Sequence, residues 1–215
     1  YMRYVLNDHF LIFLFFLFGF IMVQYSNWIQ TIRVLEWPLL GLLAVLLASI
    51  PFFGGIATFL EPADGIFLSV VGQDFKAYLQ KAIRRSWALP LLVMLVSTGI
   101  VFPIVAQAFG TSMSMFVKLF LLQVLFKDLL FRCTKYAYRG VLHFTWMEKL
   151  GIYMIAVANF FGMFLWISEG WSIVLLVIPV LLIIFVEQYY GKAAFVYQFD
   201  KMIEMELERQ QRIYR

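Results

Sequence analysis

The stretch LEPADGIFLSVVGQDFKAYLQKAIRRSW, Leu60 to Trp87, separates two long apolar runs. In its second half, Asp74 to Arg85, the residues Phe75, Tyr78, Leu79, Ala82 and Ile83 follow an i, i+3, i+4, i+7, i+8 spacing and share one helical face. Lys76, Gln80, Lys81, Arg84 and Arg85 take the other face. The spacing predicts a basic amphipathic helix between membrane spans. Such a helix cannot itself cross a bilayer, so it is expected to lie on the surface or dock into a partner.

Working outward from this loop, the composition is that of a chain whose solvent is lipid. Of 215 residues, 63% are hydrophobic and 14% charged, against roughly a half and a quarter in a soluble domain. Mean hydropathy is +0.86. The alternation of apolar and polar residues that marks a barrel is missing, and each apolar run is long enough for a helix. The expected fold is an all-α membrane protein, a bundle of about six transmembrane helices with an amphipathic cytoplasmic coupling helix. The spans fall near Phe10–Trp28, Trp37–Phe59, Ala88–Ala108, Met113–Phe131, Leu150–Ile167 and Trp171–Tyr189, each close to the ~20 residues a crossing helix needs. Trp28, Trp37, Trp87, Trp166 and Trp171 stand at span ends, as an aromatic belt would. Pro51, Pro90, Pro103 and Pro179 read as kinks, and Gly54-Gly55 as local flexibility in the second span.

Residues 1–190 are thus assigned to the transmembrane domain and 191–215 to a cytoplasmic helical extension. In that extension Phe199, Ile203 and Leu207 share a stripe and Glu208 and Arg212 form an i, i+4 pair. No stop signal follows, and no methionine opens the chain, so both ends read as continuing in a longer protein.

Charge sets the expected orientation. Lys76, Lys81, Arg84 and Arg85 crowd one loop. Lys127, Arg132, Lys135, Arg139 and Lys149 crowd the region from Phe126 to Lys149. Lys192, Lys201, Arg209, Arg212 and Arg215 follow the last span. The intervening connections hold only Arg33 with Glu36, then Gly110-Thr111-Ser112, then Glu169. Both ends and both long loops are therefore expected on the cytoplasmic side of the cell membrane. The formal charge of +4 lies next to spans, which points to anionic lipid headgroups and not to nucleic acid.

No catalytic constellation is present. There is no phosphate-binding loop and no HExxH metal motif. His9 and His143 are the two histidines, both near interfaces, and Cys133 has no metal-ligand company. The chain is not expected to be an enzyme, to bind a metal or to carry a cofactor of its own. The weak candidates for a substrate path are Lys118 and Gln123 in the fourth span and Asn159 in the fifth. Polar residues inside a membrane mark substrate routes or hydrogen-bond a neighbouring helix, and Lys118 is close enough to a span end to snorkel. So sparse a lining disfavours an ion channel or proton-coupled carrier and suits a greasy or peptide-like cargo.

The chain resembles the EcsB-type permease subunits of ABC transporters from Gram-positive bacteria. The resemblance rests on RYVLNDHF at Arg3–Phe10, LEPADGIFL at Leu60–Leu68, YLQKAIRRS at Tyr78–Ser86 and MIEMELERQQRIYR at Met202–Arg215. After the Phe-Leu of the loop this chain has Ser69 to Asp74, where family members carry Leu-Pro and an acidic residue. The resemblance implies a permease paired with a separate cytoplasmic ATP-binding subunit in a heteromeric assembly. ATP and Mg would sit on that subunit, and the cargo would be a hydrophobic peptide moved outward. It also makes Glu61, Asp64, Phe67, Phe75, Tyr78, Leu79, Lys81, Arg84 and Arg85 the candidates for contact with the ATPase. The competing expectations are a membrane scaffold that regulates another membrane enzyme, such as an intramembrane protease, and a self-contained secondary transporter.

Overall fold

In the computed structural model, described for residues 8–32, 36–58, 60, 74–142, 144–166, 171–192, 202–204 and 207, every regular element is helical. The chain is an all-α membrane protein. Helix α1 spans Asp8–Thr31, α2 Trp37–Ser49, α3 Asp74–Phe109, α4 Met113–Tyr138, α5 Trp146–Leu165 and α6 Val177–Tyr190. Two 3₁₀ segments join them: Ile50–Phe52 extends α2, and Trp171–Leu176 leads into α6.

Side-chain contacts fix the directions. Phe102 meets Phe116 and Trp87 meets Phe131, so α3 and α4 run antiparallel. Lys118 reaches Ser172 at one end of α4 while Tyr136 reaches Glu187 at the other, so α4 and α6 do as well. Trp37 packs on Phe161 and Ser49 on Tyr153, which sets α2 against α5. The six helices therefore alternate, and Lys81, Arg84, Arg85, Lys135, Arg139 and Lys192 gather at one end, here called the basic end. The turn between α3 and α4 is tight because Gly110 takes a left-handed φ of +61°, and its N–H closes on Ala106 O at 2.8 Å.

Among the described residues, four stretches are long and apolar enough to cross a membrane: Ile12–Thr31, Ala77–Phe109, Trp146–Leu165 and Ser172–Tyr190. The other two expected spans differ for separate reasons. The second ends early, as an apolar helix over Trp37–Phe52 and not Phe59. Pro51 removes a backbone donor and Gly54 adopts φ +70°, so the chain leaves the helix there. Gly54 thus terminates the helix and does not merely loosen it. The fourth, α4, carries Lys118, Lys127 and Asp128 within its length. It tolerates them because it is the central helix: Met115, Leu119, Leu122, Gln123, Phe126, Lys127, Leu129 and Leu130 are all buried against neighbouring elements.

The amphipathic stretch is not a separate surface helix. It forms the first turns of α3, which runs without interruption from Asp74 to Phe109. Nothing between Arg85 and Ala88 breaks the helix, and the Ser86 hydroxyl donates back to Ala82 O at 2.7 Å. At 36 residues and 1.5 Å per residue, α3 is about 54 Å long, well beyond the ~30 Å of hydrocarbon. Its basic turns therefore extend beyond the hydrocarbon thickness while still packed on the bundle through Leu79 and Ala82.

Most of the core is one cluster drawn from α2 to α6, with Leu47, Val105, Leu119, Phe126 and Phe160 at its centre. A smaller cluster at the basic end joins Ile56, Leu60, Leu79, Ala82, Phe131, Tyr138, Met202 and Ile203. Helix α1 stands at the edge. Phe13, Phe15, Phe16 and Phe20 are exposed, as lipid-facing residues are, and Tyr25 bonds to Ile100 O of α3.

Continuity of α3 sets a distance. The backbones at Lys81 and Gln107, both exposed, should lie about 39 Å apart along a straight helix and about 31 Å apart if the chain turned flat at Trp87. Spin labels at these two positions, read by pulsed electron resonance, should give the longer value.

Candidate functional site

The basic end of α3 is built from two faces with different fates. Leu79 and Ala82 are buried in the smaller cluster, with Ile83 and Trp87 packed at its margin. Their cover comes from three places: Ile56 and Leu60 after α2, Phe131 and Tyr138 of α4, and Met202 and Ile203. The opposite face leaves Gln80, Lys81, Arg84 and Arg85 exposed. Tyr78 lies between, partly exposed, with its hydroxyl donating to Thr58 O. Ser86 accepts the Ala57 N–H at 2.8 Å, tying the segment after α2 to α3. Of the sequence-predicted contact residues, Tyr78, Leu79, Lys81, Arg84 and Arg85 share these few turns. Glu61, Asp64 and Phe67 lie outside the described residues, as does the side chain of Phe75.

Lys127, which the sequence reading counts only as one of the charges of the Phe126–Lys149 region, is buried inside the bundle. It is 1% exposed. Its ammonium donates to Pro51 O at 2.9 Å, Phe53 O at 2.6 Å and Gly54 O at 2.5 Å, and sits 4.7 Å from the Phe131 ring centroid. These carbonyls lie where α2 ends, so they lack helical partners and carry the negative end of the helix dipole. The available signal was its spacing: Lys127 follows Gln123 and Phe126 by four and one residues on a helix whose buried face includes both.

A second polar set joins α4 to α6. Arg132 donates to Asp128 Oδ2 at 2.6 Å and to Glu187, and the Tyr136 hydroxyl donates to Glu187 Oε2 at 2.5 Å. Lys135 stands 4.0 Å from the same carboxylate. Glu187 is an acid in an otherwise apolar span, and this quartet is what holds it there.

The three substrate-path candidates do not come together. Lys118 donates to Ser172 Oγ at 2.8 Å and lines a pocket of about 170 Å³ with Gly110, Thr111, Ser112 and Ser114, at the end opposite the basic one. It is thus held in place by hydrogen bonding. Gln123 is fully buried on α4, where Ser97 of α3 approaches its Oε1 at 3.5 Å and its Nε2 has no partner. Asn159 of α5 is 3% exposed, with neither side-chain polar atom bonded. Ser97 and Thr98 turn their hydroxyls to Met94 O of their own helix. No group of three or more metal-ligating residues occurs among the described residues.

A family model described as "Bacterial ABC transporter protein EcsB" matches residues 1–215. The chain belongs to the EcsB family. It is 26% identical to Protein EcsB of Bacillus subtilis (strain 168) over 220 residues, covering all of this chain and 52% of that relative. The chain thus spans about half the length of the curated relative it matches. No solved structure matches it significantly.

Unpaired buried amides cost about 1–3 kcal/mol each. Gln123→Met and Asn159→Leu should therefore leave melting temperature unchanged or raise it. A thermal-shift measurement on purified protein checks this, and a clear fall would mean that these amides find partners.

Proposed function

We propose that this chain forms part of the membrane-spanning permease of an ABC exporter, powered by a separate cytoplasmic ATP-binding subunit that carries ATP and Mg. The observation that carries the reading is the two-faced start of α3. An exposed basic ridge of Lys81, Arg84 and Arg85 continues as one helix into a membrane span, while Leu79 and Ala82 anchor it to α4 and to the segment after α2. A partner pressing on that ridge would act on the same helix that becomes the span, with Pro90 as the nearest point of bending. The ridge would meet acidic side chains of the ATPase, with nearby lipid phosphates as its other neighbours.

On this reading the basic end is cytoplasmic, both ends of the chain lie on that side of the cell membrane, and the chain is itself no enzyme. The cargo is hydrophobic or peptide-like, because the core between spans offers few polar groups. Lys118, beside its pocket at the far end, is the candidate for meeting a peptide carboxylate. Gln123 and Asn159 are packed too deeply to line that pocket with it. Residues 1–190 act as the membrane unit and 191–215 as its cytoplasmic extension, of which Met202 packs in the same cluster as Leu79.

Two tests follow. In a Cys133→Ala background, a cysteine at Thr111 should react with an impermeant maleimide from outside the cell, and one at Lys81 only after the membrane is opened. The converse pattern inverts the topology. In the full-length protein, Lys81→Glu, Arg84→Glu and Arg85→Glu together should release the co-purifying ATPase while leaving membrane insertion intact. Retention of the ATPase by that variant would remove the ridge from the interface. Lys118→Met should then reduce peptide export without releasing the ATPase.

A further inference from the structure

We propose that Lys127 is a positioning residue. Its ammonium locks the end of α2 to α4, and through that lock it fixes the docking surface on which the basic end of α3 rests. The idea takes its functional meaning from the permease reading but stands on its own geometry.

Lys127 is buried on the central helix and bonded to three carbonyls of one turn, Pro51, Phe53 and Gly54. All three acceptors are backbone groups of a helix terminus that leaves the bundle just there. Charge and dipole make a cation the suitable cap for them. The same turn is held from the other side by Tyr153 of α5, whose ring meets Phe52 edge-on at 5.4 Å and whose hydroxyl lies 3.2 Å from Ser49 Oγ. Lys127 thus supplies the α4 side of a clamp around the helix break.

What leaves the clamp is the docking segment. Two residues after Gly54, Ile56 enters the smaller cluster. Ala57 then gives its N–H to Ser86, Thr58 accepts from Tyr78, and Leu60 packs in the same cluster as Leu79. Phe131, the ring beneath the Lys127 ammonium, belongs to that cluster too. One side chain therefore connects the main core, through Phe126 and Leu129 of its own helix, to the cluster that holds the start of α3. Without it the buried Pro51 carbonyl and the part-buried Phe53 and Gly54 carbonyls lose their donor, and the α4 side of the clamp no longer sets the angle at which the chain leaves α2. A force on the basic ridge would then bend the docking segment instead of displacing the bundle.

The test uses the full-length protein in membranes, with Cys133→Ala. Ala57→Cys with Ser86→Cys reports docking, and Gly162→Cys with Leu175→Cys, adjacent in the main core, reports the fold. On oxidation both pairs should cross-link in the parent. Lys127→Met should lower the 57–86 cross-link by about tenfold, since three backbone acceptors lose their donor together, and leave the 162–175 link unchanged. Lys127→Arg, which keeps a cation with several donors, should restore the first. The proposal is overturned if Lys127→Met keeps the 57–86 link at parental yield. It is equally overturned if both links are lost, because Lys127 would then hold the whole bundle and not the docking segment.

Function is read separately with the co-purified ATP-binding subunit. Maleimide labelling of Thr111→Cys should change on adding ATP in the parent and in Lys127→Arg. It should stay constant in Lys127→Met, which should still bind the subunit. If the parent itself shows no ATP response, the permease reading fails while the cross-links still decide the clamp.

Discussion

An ammonium group inside a lipid-bathed bundle has to be neutralised, hydrated or fully hydrogen-bonded, and Lys127 takes the last course. Its three donors meet Pro51, Phe53 and Gly54, and the Phe131 ring covers one side. The arrangement solves two problems together. A helix that ends inside a membrane protein leaves carbonyls with no partner, and non-helical backbone at that depth survives only when protein satisfies it. A buried lysine, conversely, needs acceptors that do not themselves require a counter-ion. Each would destabilise the bundle alone, and together they let α2 stop short and release the chain toward α3.

The same logic explains why α4 holds more charge than any neighbouring span. Lys118, Lys127, Asp128 and Arg132 would be costly on a helix facing lipid. On the central helix each finds a partner from another element or from one turn away: Ser172, the end of α2, and the Asp128–Arg132–Glu187–Tyr136 set. The pairs lie on different levels of α4, so it is pinned at the far end by the 3₁₀ segment before α6, near the basic end by α2, and at the basic end by α6. Partly exposed ion pairs such as Arg132–Glu187 contribute little energy singly. Their geometric consequence is larger, because a polar pair between apolar helices permits only one register.

Hydropathy made the positions and directions of the helices legible, since each apolar run and each short polar turn produces its signal independently of the others. The basic face at Lys81, Arg84 and Arg85 was legible for the same reason: helical periodicity is a local property. Three things were not. The fusion of the amphipathic stretch with the third span could not be read, because a hydropathy boundary at Trp87 does not require a backbone boundary. The early end of α2 was masked by apolar residues that continue to Phe59 after the helix has stopped. Lys127 was assigned to the cytoplasm because its charge was visible and its burial was not. All three depend on which elements pack together, and that information is carried by no single window.

The projecting start of α3 constrains how any partner could act on this chain. Had the amphipathic stretch lain flat as an independent helix, a push on it could have been absorbed by the loop joining it to the span. As built, the basic turns and the span share one continuous helix that carries Pro90 and Pro103 in its interior. Pro90 is buried three residues inside Trp87 and faces Gly54, whose substituted Cβ would come within 3.8 Å of its ring. The point at which α3 is most easily bent therefore lies beside the turn that Lys127 holds. Motion of the basic ridge would reach α4 at Phe131 and Tyr138 and the turn at Gly54 together, and α4's other contacts run the length of the bundle to Ser172. If a partner does act on the basic ridge, the closeness of Pro90 to Gly54 makes the turn held by Lys127 the place where bending of α3 would be resisted.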